Sequence, residues 1–278
     1  MICKHFARHL SAAVCGLLIL AALPAAASVV DGGVIMDQRM NENLCALTFD
    51  DGPSCFTPHL LDLLDDYGIP ATFFLVGSMA EKFPHTVRRI VAEGHEVGNH
   101  TWNHPNLRRI SRERKLEEIV RTNDLLTSLG ARPTCLRPPY GAFDDYTVEV
   151  ADSLGLAVVL WSVDTKDWRR LPANYAALRN GRGGVYPQGK MRGVFLFHDT
   201  HRNTVEDLPR IVKELYEAGC NRFVTVSEYL DGLLDPEPGM LMTRRPSVGS
   251  DAVSPRSQRA PAELLQIEIV ERPAGRPE

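Results

Sequence analysis

The sequence predicts an α/β domain built on a parallel sheet, either open or closed into a barrel. Two observations predict it. Between Leu44 and about Leu234, short apolar runs of strand length alternate with amphipathic stretches of helical period, the pattern of strand–helix–strand units. The unusual polar clusters also fall just after the predicted strands, where a parallel sheet of either form gathers its chemistry.

Residues 44–49, Leu-Cys-Ala-Leu-Thr-Phe, form a near-continuous apolar run, the mark of a buried strand. Residues 59–67 place Leu60, Leu61, Leu63 and Leu64 at helical spacing, and 71–76 is the next strand. Residues 87–93 read as a helix and 96–99 as extended. Residues 112–129 form a long amphipathic helix with Leu116, Ile119, Val120, Leu125 and Leu126 apolar. Residues 135–136, 157–161, 194–197 and 223–226 are further short apolar runs, and 205–218 is helical.

Composition sets the broad class. The chain has 278 residues, 44% of them apolar and 24% charged, which excludes wholesale disorder. Its 31 basic and 35 acidic residues give a net charge of −4 with no block of like charge, so nucleic acid is not an expected partner. No repeat of solenoid or propeller period is present.

The ends differ from the middle. Lys4 and Arg8 precede an apolar run at 12–23, followed by Pro24 and the small residues Ala25, Ala26, Ala27 and Ser28, the pattern of a secretory signal peptide cut after Ala27. A dozen apolar residues fall short of the roughly 18–20 that span a bilayer, so no stable membrane insertion is expected after cleavage. The expected location is exported: periplasmic, cell envelope or secreted. Losing Lys4 and Arg8 leaves 29 basic against 35 acidic groups, a charge of −6. Residues 236–278 hold seven of the 19 prolines and six arginines, and cannot bury enough surface to offset ordering entropy. The expected organisation is a signal peptide at 1–27, a linker at 28–41, one domain at 42–234 and a disordered tail at 235–278, with 264–270 as a candidate docking strand. Removing the leader leaves Cys45, Cys55, Cys135 and Cys220. Four cysteines allow three disulfide connectivities, among which the sequence does not choose. None forms a Cys-x-x-Cys pair, which argues against a thiolate zinc cluster.

Five clusters carry the chemistry. Asp50-Asp51-Gly52-Pro53 sets two carboxylates at a strand end, where alternation aims neighbours oppositely, although Asp-Gly-Pro is also ordinary turn chemistry. His100 and His104 are four apart, which puts both imidazoles on one face if the segment enters a helical turn, a common way to bind one Zn²⁺, although by itself the spacing fits solvated or core-packed histidines better. No Glu follows His100, so the zinc-protease pattern is absent. Arg137-Pro138-Pro139-Tyr140-Gly141 is a rigid turn whose Arg can orient a carboxylate, or a surface loop whose Arg forms a structural salt bridge. Residues 161–168 set Asp164 and Asp167 between Trp161 and Trp168, equally a sugar-stacking surface or a packed loop. His198 ends an apolar run before Asp199, placed to exchange protons near neutral pH or to sit as a satisfied core histidine.

In this order the clusters resemble the NodB-homology polysaccharide deacetylases, carbohydrate esterase family four. The resemblance is carried by Thr48-Phe49-Asp50-Asp51-Gly52, His100-Thr101-x-x-His104, Arg137-Pro138-Pro139-Tyr140, Asp164-x-x-Asp167-Trp168 and Phe195-x-Phe197-His198-Asp199, with support from 69–77 and 94–99. It covers about residues 42–234. Cys135 stands where the family often has an aromatic, and Phe195 and Phe197 replace commoner aliphatics; both departures bear on pocket shape and neither touches a reacting group.

The resemblance implies an irregular (β/α) barrel of about seven parallel strands and removal of N-acetyl groups from a polysaccharide containing N-acetylglucosamine. The substrate would be peptidoglycan, a chitin-like polymer or an exopolysaccharide. Asp51, His100 and His104 would bind one divalent metal ion, usually zinc. Asp50 would be the base and His198 the acid, with Arg137 holding Asp50, Asp167 orienting His198, and the Tyr140 N–H stabilising the oxyanion. Two other readings share these residues: an O-acetyl esterase acting on xylan or another exopolysaccharide, and a noncatalytic glycan-binding protein. The loop at 169–192 is expected to border the groove, and the sequence carries no signal of oligomeric state.

Overall fold

Strands and helices alternate along one parallel sheet in the computed structural model of the chain, which describes residues 29–30, 44–169, 193–220 and 222–234. The expected leader, nearly all of the linker, the groove loop beyond Arg169, and the tail with its 264–270 segment lie outside the described residues. In chain order the elements are β1 (Val29–Val30), β2 (Leu44–Asp50), α1 (Thr57–Tyr67), β3 (Thr72–Leu75), α2 (Gly77–Lys82), α3 (Pro84–Ala92), β4 (Glu96–Asn99), α4 (Arg112–Ser128), β5 (Cys135–Leu136), α5 (Asp145–Ser153), β6 (Ala157–Val159), β7 (Val163–Asp164), β8 (Gly193–His198), α6 (Arg202–Glu206), α7 (Leu208–Glu217), β9 (Arg222–Phe223) and α8 (Val226–Leu234).

Seven strands run side by side in the order β6-β5-β4-β3-β2-β8-β7, with two-residue β1 added beyond β6 and β9 paired to the start of β2. Every pairing is parallel. β6 and β7 terminate this seven-strand path, and in a flat sheet they would lie about 29 Å apart. Only Leu160, Trp161 and Ser162 join them, a reach of at most about 14 Å from Val159 to Val163. The sheet therefore curls until its ends approach, giving the irregular barrel.

Period-two alternation sorts the strand residues between two cores. Cys45, Leu47 and Phe49 of β2, Phe73 and Leu75 of β3, and Phe195 and Phe197 of β8 pack outward against Leu60, Leu64, Ile90 and Ile211 of the helices. Leu44, Ala46, Phe74, Val159 and Val194 point into the curl, where Val226 and Tyr229 of α8 join them. A smaller cluster holds α4 and α5 against the outer face of β5 and β6 through Ile119, Leu136, Val150 and Val158. The inward column of β2 thus runs Leu44, Ala46, Thr48, Asp50, apolar at one end and polar at the mouth.

Some elements depart from the expectation for physical reasons. The helix expected over 205–218 is two helices, α6 and α7, because Pro209 lacks an N–H and is accommodated only in the first turn of α7. The strand expected at 223–226 stops at Phe223. Thr225 and Glu228 form a reciprocal capping box there, Thr225 N–H to Glu228 Oε2 at 2.8 Å and Glu228 N–H to Thr225 Oγ1 at 3.3 Å, which starts α8. A second box, Asp144 with Thr147, starts α5, which the apolar pattern did not reveal. Of the four cysteines, Cys45 and Cys220 form a disulfide with Cα atoms 6.1 Å apart, Cys55 is an exposed thiol and Cys135 a buried one.

Candidate active site

The strand ends deliver the predicted polar residues to one mouth of the barrel. Asp50 closes β2, His198 closes β8, and the register sets them directly opposite each other. His100 follows β4 and Arg137 follows β5. A cavity of about 380 Å³ opens there, bounded by Asp50, Asp51, His100, His104, Tyr140 and His198. Trp161, Asp164, Trp168 and Leu196 complete its wall, so both indoles of the 161–168 stretch face the cavity. Arg137 and Asp167 stand behind it, both buried.

Two local expectations are corrected. Strand alternation would aim Asp50 and Asp51 to opposite sides, yet both carboxylates reach the cavity because Asp51 takes a left-handed backbone with φ of +73°. His100 and His104 do not share a helical turn. Thr101 and His104 take φ of +65° and +56°, folding the loop back until the two rings are 4.9 Å apart. Tyr140, with φ of +60°, is also left-handed, and its ring meets His104 edge-on at 4.7 Å. Such conformations cost about 1–3 kcal/mol each and persist where their surroundings over-determine them. Three of the five non-glycine residues with positive φ among the described residues border this cavity.

Asp51 Oδ1 lies 3.4 Å from His100 Nε2 and 3.2 Å from His104 Nε2, and one donor atom from each residue falls within 4.8 Å of the others. His100 Nδ1 is 2.7 Å from the Arg137 carbonyl, which can only accept, so Nδ1 carries the proton and Nε2 turns its lone pair toward Asp51. A lone pair facing a carboxylate oxygen calls for a cation between them. Asp51 Oδ1 is itself buried without a hydrogen-bond donor. Nitrogen and oxygen ligands about 2.1 Å from a tetrahedral ion lie about 3.4 Å from one another, and the two separations from Asp51 fit. The three residues are therefore suited to hold a divalent metal ion.

The second carboxylate is held differently. Arg137 is wholly buried in the curl and donates to Asp50 Oδ1 at 2.8 Å, Thr48 Oγ1 at 2.6 Å and the Leu160 carbonyl at 2.9 Å, with Phe74 stacked 3.9 Å from its guanidinium. Asp50 Oδ2 remains turned toward the cavity, 3.7 Å from His100 Nε2. On the opposite wall Asp167 bonds His198 and also accepts from Thr204 Oγ1 at 2.7 Å.

The electrostatics follow from these contacts. Burial pulls the His198 pKa down, but its hydrogen bond to Asp167 and the charges of Asp167, Asp50 and Asp51 outweigh this and raise it to about 9. Burial pushes Asp51 up, and the surrounding imidazoles of His100, His104 and His198 bring it well below the carboxylate range. Burial and His100 lower His104, keeping the imidazole neutral and able to ligate. Asp199, next to His198 but facing away from the cavity wall, is pushed up to about 7 chiefly by complete burial. The sequence pattern did not reveal that Thr204 bonds Asp167 or that Thr57 bonds Asp199, because these partners lie far apart along the chain.

Comparison with known proteins agrees. Residues 37–159 match the sequence profile of polysaccharide deacetylases. The chain is 40% identical over 192 residues to a peptidoglycan-N-acetylglucosamine deacetylase of Bacillus cereus, covering 67% of this chain and 68% of that one. It is 38% identical over 190 residues to the peptidoglycan-N-acetylmuramic acid deacetylase PdaC of Bacillus subtilis, covering 68% of this chain but 39% of the relative's length. The solved structure of PdaC superposes with a TM-score of 0.60 at 37% identity, over 69% of this chain and 92% of the other. The motifs, the curled sheet and these likenesses together make the chain a member of the polysaccharide deacetylases, carbohydrate esterase family four.

Proposed function

We propose that the protein removes N-acetyl groups from an exported or cell-envelope polysaccharide containing N-acetylglucosamine, using Asp51, His100 and His104 to hold one zinc ion. The observation that carries this reading is the convergence of three donor atoms beside a second, separately held carboxylate, Asp50. Held by these three residues, zinc would supply Lewis acidity, lowering the pKa of a water there toward about 7 and polarising the acetyl carbonyl.

The chain's own groups complete the hydrolysis. Asp50, fixed by Arg137 on Oδ1, offers Oδ2 to take a proton from the attacking water. Water oxygen bonds the acetyl carbon, and the Tyr140 N–H stabilises the charge that develops on the carbonyl oxygen, a contribution of about 3 kcal/mol for one such donor. His198, its Nδ1 bonded to Asp167, presents Nε2 to the departing nitrogen and gives up a proton as the C–N bond breaks. Acetate and a free amine result. Trp161, Trp168 and Leu196 give the acetyl group and sugar ring an apolar wall.

Two relatives of similar identity carry names specifying different peptidoglycan sugars, so peptidoglycan is the substrate tested first. Export rests on the leader pattern at 1–27 and is supported by the Cys45–Cys220 disulfide, a bond of oxidising compartments. No helix among the described residues is long and apolar enough to cross a membrane. Acetate release from peptidoglycan, chitooligosaccharides and O-acetylated xylan, each with zinc and with chelator, tests the reading. Zinc-dependent release from an N-acetylated glycan is expected. Release from O-acetyl esters alone would convert the enzyme to an esterase, and release from none would leave a glycan-binding protein.

A further inference from the structure

We infer that Glu118 is a positioning residue for the Asp51–His100–His104 site, acting through Asn103 on the backbone that delivers His104; the inference rests on reading that site as a metal centre.

The loop from His100 to His104 holds two left-handed non-glycine residues, Thr101 and His104, and keeps that shape only if its neighbours impose it. Its first half is anchored by main chain and by the Asn99 side chain. Gly77 N–H donates to the Thr101 carbonyl at 2.9 Å and Ser78 N–H to the Trp102 carbonyl at 3.0 Å. Asn99 accepts from Thr101 N–H at 2.9 Å and donates to the Ile119 carbonyl of α4, also at 2.9 Å. The second half depends on a side chain. Asn103 N–H donates to Glu118 Oε2 at 2.7 Å and Asn103 Nδ2 to Oε1 at 3.3 Å.

Glu118 is 1% exposed, in the middle of α4. A buried carboxylate is costly unless its acceptor sites are filled, and these are filled by Asn103 and by Arg114 Nη2 at 2.8 Å. The same helix grips the loop once more through Arg121, whose guanidinium lies 3.5 Å above the buried Trp102 ring. Glu118 is thus bonded to the peptide immediately before His104. Removing it takes away the protein acceptor of the Asn103 N–H and releases the backbone whose left-handed turn holds His104 Nε2 3.2 Å from Asp51.

The test measures zinc affinity on protein already shown to be folded. Metal-stripped wild type, Glu118→Ala and Glu118→Gln are titrated with zinc against a chromophoric chelator, while circular dichroism and melting of the metal-free forms monitor the fold. Glu118→Ala is expected to weaken zinc binding by about 10–100-fold, the usual cost of losing an outer-shell partner. Glu118→Gln keeps an oxygen opposite the Asn103 N–H and is expected to recover most of that loss. Should Glu118→Ala fail to fold, Glu118→Asp, whose carboxylate sits one methylene further back, takes its place and is expected to bind about tenfold more weakly. A folded Ala or Asp variant with wild-type zinc affinity overturns the inference. Wild-type protein that takes up no zinc overturns the metal-centre reading itself, before any variant is compared.

Discussion

Asp167 grips His198 twice, taking the ring Nδ1–H on one carboxylate oxygen and the backbone N–H on the other, each at 2.8 Å. The ring is thereby fixed in orientation as well as charge, and its Nε2 is left to the cavity. Neither contact is local, since 31 positions separate the partners.

Replacing Asp167 by Asn is expected to move the alkaline limb of the pH–rate profile. Against the burial that lowers it, this carboxylate, with the charges of Asp50 and Asp51, raises His198 from 6.5 to about 9, so losing Asp167 lowers that pKa and leaves less His198 able to donate a proton. Acetate release measured across the alkaline range should show the limb displaced acidward by at least about one pH unit, and an unmoved limb contradicts the assignment. The pair also makes stability depend on pH. The folded pKa lies above the unfolded one, so the contribution is full below about pH 6.5 and is lost as pH rises through about 9, a difference of about 3 kcal/mol. Urea denaturation of the metal-free protein at either end of that window should show the loss in wild type and not in Asp167→Asn.

Asp50 and Asp51 are adjacent and chemically identical, yet their substitutions should fail differently. Asp50→Asn leaves all three proposed ligands in place and is expected to retain zinc while turnover falls by about 10²–10⁴. Asp51→Asn is expected to lose the metal itself. Metal content by elemental analysis beside acetate release separates the two, and an Asp50→Asn enzyme of near-normal rate would remove that residue from the role of base.

Gly52 has no room for a side chain. A Cβ there would lie 2.2 and 2.3 Å from the two oxygens of Asp199. Asp199 cannot swing aside, being wholly buried with Thr57 Oγ1 donating to its Oδ2 at 2.5 Å. Gly52→Ala is expected to cost about 1–3 kcal/mol in denaturant titrations and to weaken zinc binding by displacing Asp51. In Gly52→Ala/Asp199→Ala the clash is gone, so the double variant should be more stable than the sum of the single losses by about 1 kcal/mol or more. Simple additivity would show that the two residues are not in conflict.

The Cys45–Cys220 disulfide closes a separation of 175 residues, and its removal is expected to lower stability by about 2–5 kcal/mol. Both cysteines are buried in the outer core and neither borders the cavity, so Cys45→Ala/Cys220→Ala should unfold earlier in urea yet bind zinc as wild type does. A parallel loss of zinc affinity in the folded variant would show that the cross-link also shapes the site.

Much of this was readable without coordinates because it is local. Short, near-continuous apolar runs marked β2, β3 and β8, and helical spacing marked α1 and α4, since burial is written directly into neighbouring residues. The same runs set Asp50 at the end of β2 and His198 at the end of β8. Short elements escaped: α2 has six residues, and α5 and α8 are announced by capping boxes rather than by apolar period.

By itself the sequence determined the parallel α/β architecture and the chemical identity of the groups at the strand ends. Only the tertiary structure decided that Asp51 shares a cavity with Asp50, that His104 folds back to His100 without a helix, and that Cys45 pairs with Cys220. It also decided that Glu118, Thr204 and Asp199 support residues many positions away. The physical reason is that periodicity encodes burial and backbone type over a few neighbouring residues. Left-handed turns and buried polar partnerships are instead imposed by segments that meet only when the sheet curls.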